Sequence, residues 1–142
     1  MLNITDAEAA YIAGFVDGEG TINVLRTAKK RFLAELSIGQ IDPRPLVWIK
    51  EICGGAGSNV RVYVYKNRPT SKPIWLWAVQ GEKFDQIIEK ILPYLIVKKD
   101  KAEIAIKMRE LIKGKGAGGS ALLADELMHR MRLVSQSKEL SQ

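Results

Sequence analysis

Residues 11–20 read Tyr-Ile-Ala-Gly-Phe-Val-Asp-Gly-Glu-Gly. In this stretch Glu19 lies between two glycines, at the end of a segment with the alanine and apolar content of a helix. In a helix Gly14 and Gly18 are four residues apart, so they share one face and leave room for another backbone to approach. The pattern therefore predicts that two copies of this helix meet and bring two carboxylates side by side at one end.

The overall composition indicates one globular domain. The chain has 142 residues, of which 46% are hydrophobic, and this suffices for a single hydrophobic core. No apolar run approaches the roughly 18–20 residues of a membrane span. The first residues have neither the basic start nor the apolar stretch of a signal peptide. We therefore expect residues 1–142 to form one intracellular domain with no membrane partner.

Cysteine and histidine are too scarce to build a metal site of their own. Cys53 and His129 occur once each, which excludes a disulfide framework and a Cys/His zinc site. Any metal must then be held by oxygen ligands, which favours a hard cation such as Mg²⁺. We expect no small-molecule cofactor.

The basic residues are concentrated in two stretches of the chain, which has a net charge of +6. No acid lies between Glu19 and Glu35, and none lies between Glu51 and Glu82. Basic stretches without acids, inside segments that read as strands, favour a surface that faces phosphates, although solvated lysines are the plain alternative. The basic residues in these stretches are Arg26, Lys29, Lys30, Arg31, Arg61, Lys66, Arg68 and Lys72.

The hydrophobic periodicity predicts an α+β fold. A first helix begins after Thr5, at a capping box, and ends at 18–20. The element order is helix, two strands, helix, two strands and helix, which predicts a four-stranded antiparallel sheet with helices on one face. Strands are expected at 20–27, 32–41, 58–66 and 74–80, and later helices after Asp42, at about 82–92, from Lys98 to about Lys113, and at about 121–134. The glycine-rich residues 114–119 are expected to form a flexible link, so that the core spans about 4–113.

Residues 11–20 resemble the LAGLIDADG signature of the homing endonucleases, with Glu19 where that family has Asp or Glu. The resemblance is specific in these ten residues and extends, through the order of elements, over about residues 4–112. It implies an αββαββα fold with helices on one face of the sheet and DNA on the other. Because the motif occurs once, it also implies a homodimer joined through the 11–20 helices. The expected protein is an intron-encoded, metal-dependent enzyme that cuts both strands of a long, pseudo-palindromic double-stranded DNA site.

The resemblance also assigns roles to individual residues. Glu19 is the expected metal ligand and catalytic acid, with the carbonyl of Gly18 as a second ligand. The metal is expected to be Mg²⁺, although Mn²⁺ or Ca²⁺ can occupy such a site, and it supports phosphodiester hydrolysis by activating water and neutralising charge. Gln40 would orient water, and Lys98 would polarise the water network beside the phosphate. Arg44 is a further candidate for holding phosphate.

DNA is expected on the free face of the sheet, because paired strands fit a major groove and Arg and Asn can read base edges there. Sequence parity also places the two tryptophans of strand 74–80 toward DNA. The predicted DNA contacts are Asn23, Leu25, Thr27, Lys29, Lys30, Arg31, Ser37, Arg44, Arg61, Tyr63, Tyr65, Lys66, Arg68, Trp75 and Trp77. The predicted dimer seam is formed by Ala10, Ala13, Gly14, Asp17 and Gly18, in which Asp17 is interpreted as bracing the helix end rather than binding metal.

Two other functions fit the same residues. An RNA-binding maturase, or a DNA-binding regulator that does not cleave, would use the same fold and the same basic face. A basic interaction domain with no nucleic-acid role is the third alternative, and it would lack salt-dependent affinity for DNA.

Overall fold

The structure, a computed structural model, describes residues 2–29, 31–54, 58–63, 73–114 and 120–140, with the backbone alone at 58, 59, 61–63, 120, 121 and 137–140. The first helix begins at the predicted capping box, where Thr5 and Glu8 exchange hydrogen bonds between side chain and backbone. The elements are α1 (Asp6–Glu19), β1 (Gly20–Arg26), β2 (Phe32–Gln40), α2 (Arg44–Ile52), β3 (Ser58–Tyr63), β4 (Ile74–Gln80), α3 (Gly81–Ile91), a 3₁₀ turn (Leu92–Tyr94), α4 (Lys99–Lys113) and α5 (Ser120–Leu140). The C-terminal helix is thus longer than the predicted 121–134. Residues 64–66 of the third predicted strand and 115–119 of the predicted link lie outside the described residues.

The strands form one antiparallel sheet in the order β1-β2-β4-β3. Directly paired residues of neighbouring strands point to the same side, so the register separates the two faces. Helices α1, α3 and α4 pack on one side, the covered face, whose buried strand residues are Ile22, Val24, Ala34, Leu36, Ile38, Trp77 and Val79. The other side is called the open face. It carries the alternate residues of each strand, and along β2 these are half-buried where their neighbours are buried.

The tryptophans of β4 lie on the covered face, so the prediction that they face DNA is wrong. Trp77 pairs with Ile38 on one side and Val60 on the other, and its side chain is fully buried. Trp75 is half-buried against the same core. The sequence of β4 does not show which side is buried, because the residues between the tryptophans, Leu76 and Ala78, are also apolar. The tryptophans take the covered face because burying the larger side chains removes more apolar area from water.

The C-terminal helices complete the core at the β1 edge of the sheet. Helix α4 lies across β1 and β2, and α5 packs on α4 and β1. Burial alone would raise the pKa of Asp85 on α3, but hydrogen bonds from Arg109 and Lys113 of α4 outweigh it and lower this pKa. These charged contacts join α3 to α4. None of the described helices, including the long α5, is long and apolar enough to cross a bilayer.

Candidate active site at the end of the first helix

Glu19 is the last residue of α1, and the chain turns from it directly into the sheet. The N–H of Gly20 donates to the carbonyl of Val16, and a Cβ at position 20 would lie 2.8 Å from Val16 Cα. Only glycine fits this turn, because the helix end and the start of β1 approach so closely. The carboxylate of Glu19 is left exposed, without a hydrogen bond or ion pair to any residue that the structure describes.

A reciprocal set of hydrogen bonds, here called the Asp17–Lys98 clip, joins the end of α1 to the start of α4. Asp17 Oδ2 accepts from the N–H of Ile96 at 2.9 Å, and Asp17 Oδ1 accepts from the N–H of Lys98 at 3.0 Å. In return Lys98 Nζ donates to the carbonyls of Val16 and Asp17, at 2.9 and 2.8 Å. The C-terminal end of a helix carries a partial negative charge and favours a cation. The clip therefore holds the Lys98 ammonium within one turn of Glu19.

Replacing Asp17 with Asn should destabilise the fold by about 1–3 kcal/mol, since the amide has only one oxygen and one of the two backbone N–H groups loses its acceptor. The measurement is the free energy of unfolding in urea. The matched control is Asp125→Asn, because Asp125 makes a single exposed ion pair with Arg26 at 3.9 Å and should contribute only a few tenths of a kcal/mol. Equal losses in the two variants would contradict a bracing role for Asp17.

Gln40 lies at the same end of the sheet as Glu19. Gly20 pairs with Ile38, so Gln40, two residues further along β2, lies level with the last residues of α1. The side-chain oxygen of Gln40 accepts from the N–H of Ile41 at 2.9 Å, which leaves its amide N–H groups available to a ligand. Glu19 of α1, Gln40 of β2 and Lys98, the residue before α4, thus share one end of the sheet.

One face of α1 is exposed and nearly free of side chains, and we call it the glycine face. It is formed by Ala10, Gly14 and Gly18, and a Cβ added at either glycine would meet nothing within 4 Å. Ala13 is fully buried in the core of its own chain, so its predicted place in a dimer seam is wrong. Asp17 is half-buried, with its carboxylate used by the clip.

The open face and the adjacent β1–β2 turn carry the predicted nucleic-acid contacts. The turn is closed by Thr27, whose N–H donates to the carbonyl of Arg31 at 2.7 Å, and it exposes Lys29 and Arg31. Asn23, Leu25 and Ser37 lie half-buried on the open face. Strand parity in the sequence places Glu35 on this face as well, but the predicted DNA contacts include neither Glu35 nor its partner Gln80.

Arg44 is exposed at the start of α2 but has a partner. Its guanidinium donates to both carboxylate oxygens of Asp42, and these hydrogen bonds lower the pKa of Asp42 to about 2. A phosphate would therefore compete with Asp42 for this guanidinium.

Several predicted contacts cannot be placed by side chain. Lys30, Tyr65, Lys66 and Arg68 lie outside the described residues. For Arg61 and Tyr63 the backbone gives a register position, opposite Leu76 and Ile74 of β4. By this register both positions lie on the open face.

One chain offers few acidic metal ligands at this site. Among the described residues, no three His, Cys, Asp or Glu side chains come together in a way that could hold a metal ion. The exposed residues at the end of α1 are Gly18 and Glu19, which supply one carboxylate and their backbone carbonyls. A complete site of oxygen ligands would need more carboxylates than this end of the helix supplies.

Comparison with known proteins gives likeness at the level of structure. No family model matches the sequence, and no curated protein matches it. The homing endonuclease I-CvuI, solved with its DNA target in the presence of Ca²⁺, is 22% identical, with a TM-score of 0.72 over 91% of this chain and 82% of its own. The archaeal intron-encoded homing endonuclease I-Vdi141I, complexed with DNA, is 20% identical, with a TM-score of 0.70 over 91% and 84%.

A third similar structure carries the family's name. The LAGLIDADG meganuclease I-AabMI, bound to uncleaved DNA, is 21% identical with a TM-score of 0.60, over 89% of this chain but 42% of its own. These likenesses agree with the resemblance of residues 11–20 in the sequence. The chain has the fold of the LAGLIDADG homing endonucleases.

Proposed function

We propose that this protein is a site-specific endonuclease that cuts both strands of a long, pseudo-palindromic DNA duplex as a metal-dependent homodimer. The observation that carries the proposal is the position of Glu19. It is an exposed acid with no partner among the described residues, and it ends a helix whose exposed face carries two glycines. The likeness of the fold to homing endonucleases solved with DNA supports the same conclusion.

The glycine face supports the homodimer. A glycine inside a helix destabilises it by roughly 0.5–1 kcal/mol relative to alanine. Within this chain neither Gly14 nor Gly18 is needed, because a Cβ at either position would lie in open space. A second helix that approaches closely would need both glycines, since small residues let two backbones come together. I-AabMI is also consistent with a dimer, since this chain matches 42% of it and leaves room for a second unit of similar size.

Two chains meeting on this face would complete a metal site. Each α1 ends in Glu19, so the dimer would bring two carboxylates and two Gly18 carbonyls to the seam, which is the kind of oxygen ligand set that Mg²⁺ prefers. A divalent cation held there supplies charge neutralisation on the phosphate and an activated water. In this proposal Glu19 holds the metal from each chain, and the metal is Mg²⁺, with Mn²⁺ or Ca²⁺ able to occupy the same ligands.

The neighbouring residues would act on the phosphate directly. The Asp17–Lys98 clip keeps the Lys98 ammonium at the end of α1, where its charge can offset that of the phosphate and polarise the water beside it. Gln40, whose oxygen is held by Ile41, can donate its amide N–H groups to a water or a phosphate oxygen. The open face, with the basic β1–β2 turn, would lie in the major groove on either side of the cut.

The experiment that tests the function is incubation of the protein with a library of random duplex DNA, with and without Mg²⁺, followed by sequencing of the cut ends. We expect double-strand breaks at a long site with approximate two-fold symmetry, and only with the metal. Specific DNA binding without breaks would support the non-cleaving regulator, and binding to structured RNA without DNA breaks would support the maturase. Either result would overturn the endonuclease.

A further inference from the structure

Three polar residues form a row across three neighbouring strands of the open face, at the end of β4. Asn23 of β1 pairs with Glu35 of β2, and Glu35 pairs with Gln80 of β4. The side-chain amide of Gln80 donates a hydrogen bond to Glu35 Oε2, across the two strands. Asn23 uses its own oxygen to accept from the N–H of Val24 at 2.9 Å, so its amide N–H groups remain available.

Glu35 places a negative charge on the face that we propose to lie against DNA. Among the described residues of the open face it is the only acid, and no described cation lies within ion-pair distance of it. A carboxylate repels the phosphate backbone and so weakens general binding to nucleic acid. Its partner, Gln80, fixes its direction without neutralising its charge. A carboxylate held in this way is suited to a ligand that presents a hydrogen-bond donor.

In the major groove that donor is an exocyclic amino group, and Glu and Asp accept hydrogen bonds from N4 of cytosine. We propose that Glu35, positioned by Gln80, reads a cytosine in each half of the DNA site. This inference rests on the proposed DNA-binding function and deepens it. Glu35 retains acceptor capacity for the base after accepting from Gln80, because a carboxylate can accept several hydrogen bonds. Gln80 acts through Glu35 and is a positioning residue.

The test is selection of bound duplexes from a random library in a buffer without divalent metal, followed by sequencing. Wild-type protein should select cytosine at one position of each half-site. Glu35→Gln should lower the preference for cytosine there by about tenfold, with the other positions unchanged. Its affinity for random duplex should be equal or higher, because a negative charge has been removed. Gln80→Met should weaken the preference at the same position, by less than Glu35→Gln.

The matched control is Glu103→Gln, since Glu103 is exposed on α4, away from the sheet. It changes the charge equally and should leave the selected sequence as in wild type. An unchanged sequence with Glu35→Gln, or a loss spread evenly over all positions, would overturn the reading of cytosine and leave DNA binding intact. If wild-type protein selects no sequence at all, the proposed function fails as well.

Discussion

Replacing Glu19 with Gln is expected to abolish cleavage of duplex DNA and to leave DNA binding nearly unchanged. The amide has almost the same size and shape as the carboxylate but carries no charge, so it is a poor ligand for Mg²⁺. Metal ions contribute several kcal/mol to the transition states that they stabilise. Since about 1.4 kcal/mol corresponds to a tenfold change in rate, cleavage should fall by about 10³-fold or more. The measurement is the rate of double-strand cleavage on the selected site, with affinity measured in parallel.

The control for this variant is Glu103→Gln, which makes the same change on the exposed side of α4 and should cleave like wild type. We expect the Glu19→Gln variant to fold like wild type, so a loss of cleavage would not reflect a loss of structure. The Glu19 side chain is exposed and has no hydrogen bond or ion pair to any described residue, so its replacement removes none. If Glu19→Gln cuts at the rate of wild type, Glu19 is not the metal ligand, and the proposed active site is wrong.

Much of the fold could be predicted because local signals were strong and agreed with one another. The capping box at Thr5 set the start of α1, and Gly20 marked its end. Alternating apolar residues defined β1 and β2, and the predicted strand 74–80 coincides with β4. The ten residues at 11–20 indicated a fold that the structural comparisons also find. These signals depend on residues that are close in sequence, so a single amino-acid sequence is enough to detect them.

The predictions that failed depended on which side of an element faces the core. In β4, apolar residues occupy both sides, so only the pairing of Trp77 with Ile38 and Val60 decides its direction. In α1, Ala13 and Gly14 are both small, and one residue is buried while the next is exposed. The partners of Asp17 lie 79 and 81 residues away, so no local pattern identifies them. Tertiary packing decides which side of these elements is buried, and the hydrophobic periodicity of a single strand or helix does not reveal it.

Replacing Gly14 with Leu is expected to separate folding from assembly. Leu is a good helix former and Gly a poor one, so α1 itself should gain stability of roughly 0.5–1 kcal/mol. The Cβ of the added side chain meets no atom of its own chain within 4 Å, outside its own helix backbone. It would, however, stand between two helices that must approach closely at the glycine face. We therefore expect sedimentation of the variant as a folded monomer, with retained helix content and loss of double-strand cleavage.

A substitution that stabilises the single chain but prevents the dimer is difficult to explain unless a second chain packs on the glycine face. Glu103→Leu adds the same side chain to an exposed position of α4 and should leave both assembly and cleavage unchanged. A Gly14→Leu variant that stays dimeric on DNA and cuts normally would exclude the glycine face as the seam. The pairing of Glu19 carboxylates would then have no geometric basis, because in the described part of one chain no three possible ligand side chains come together around a metal.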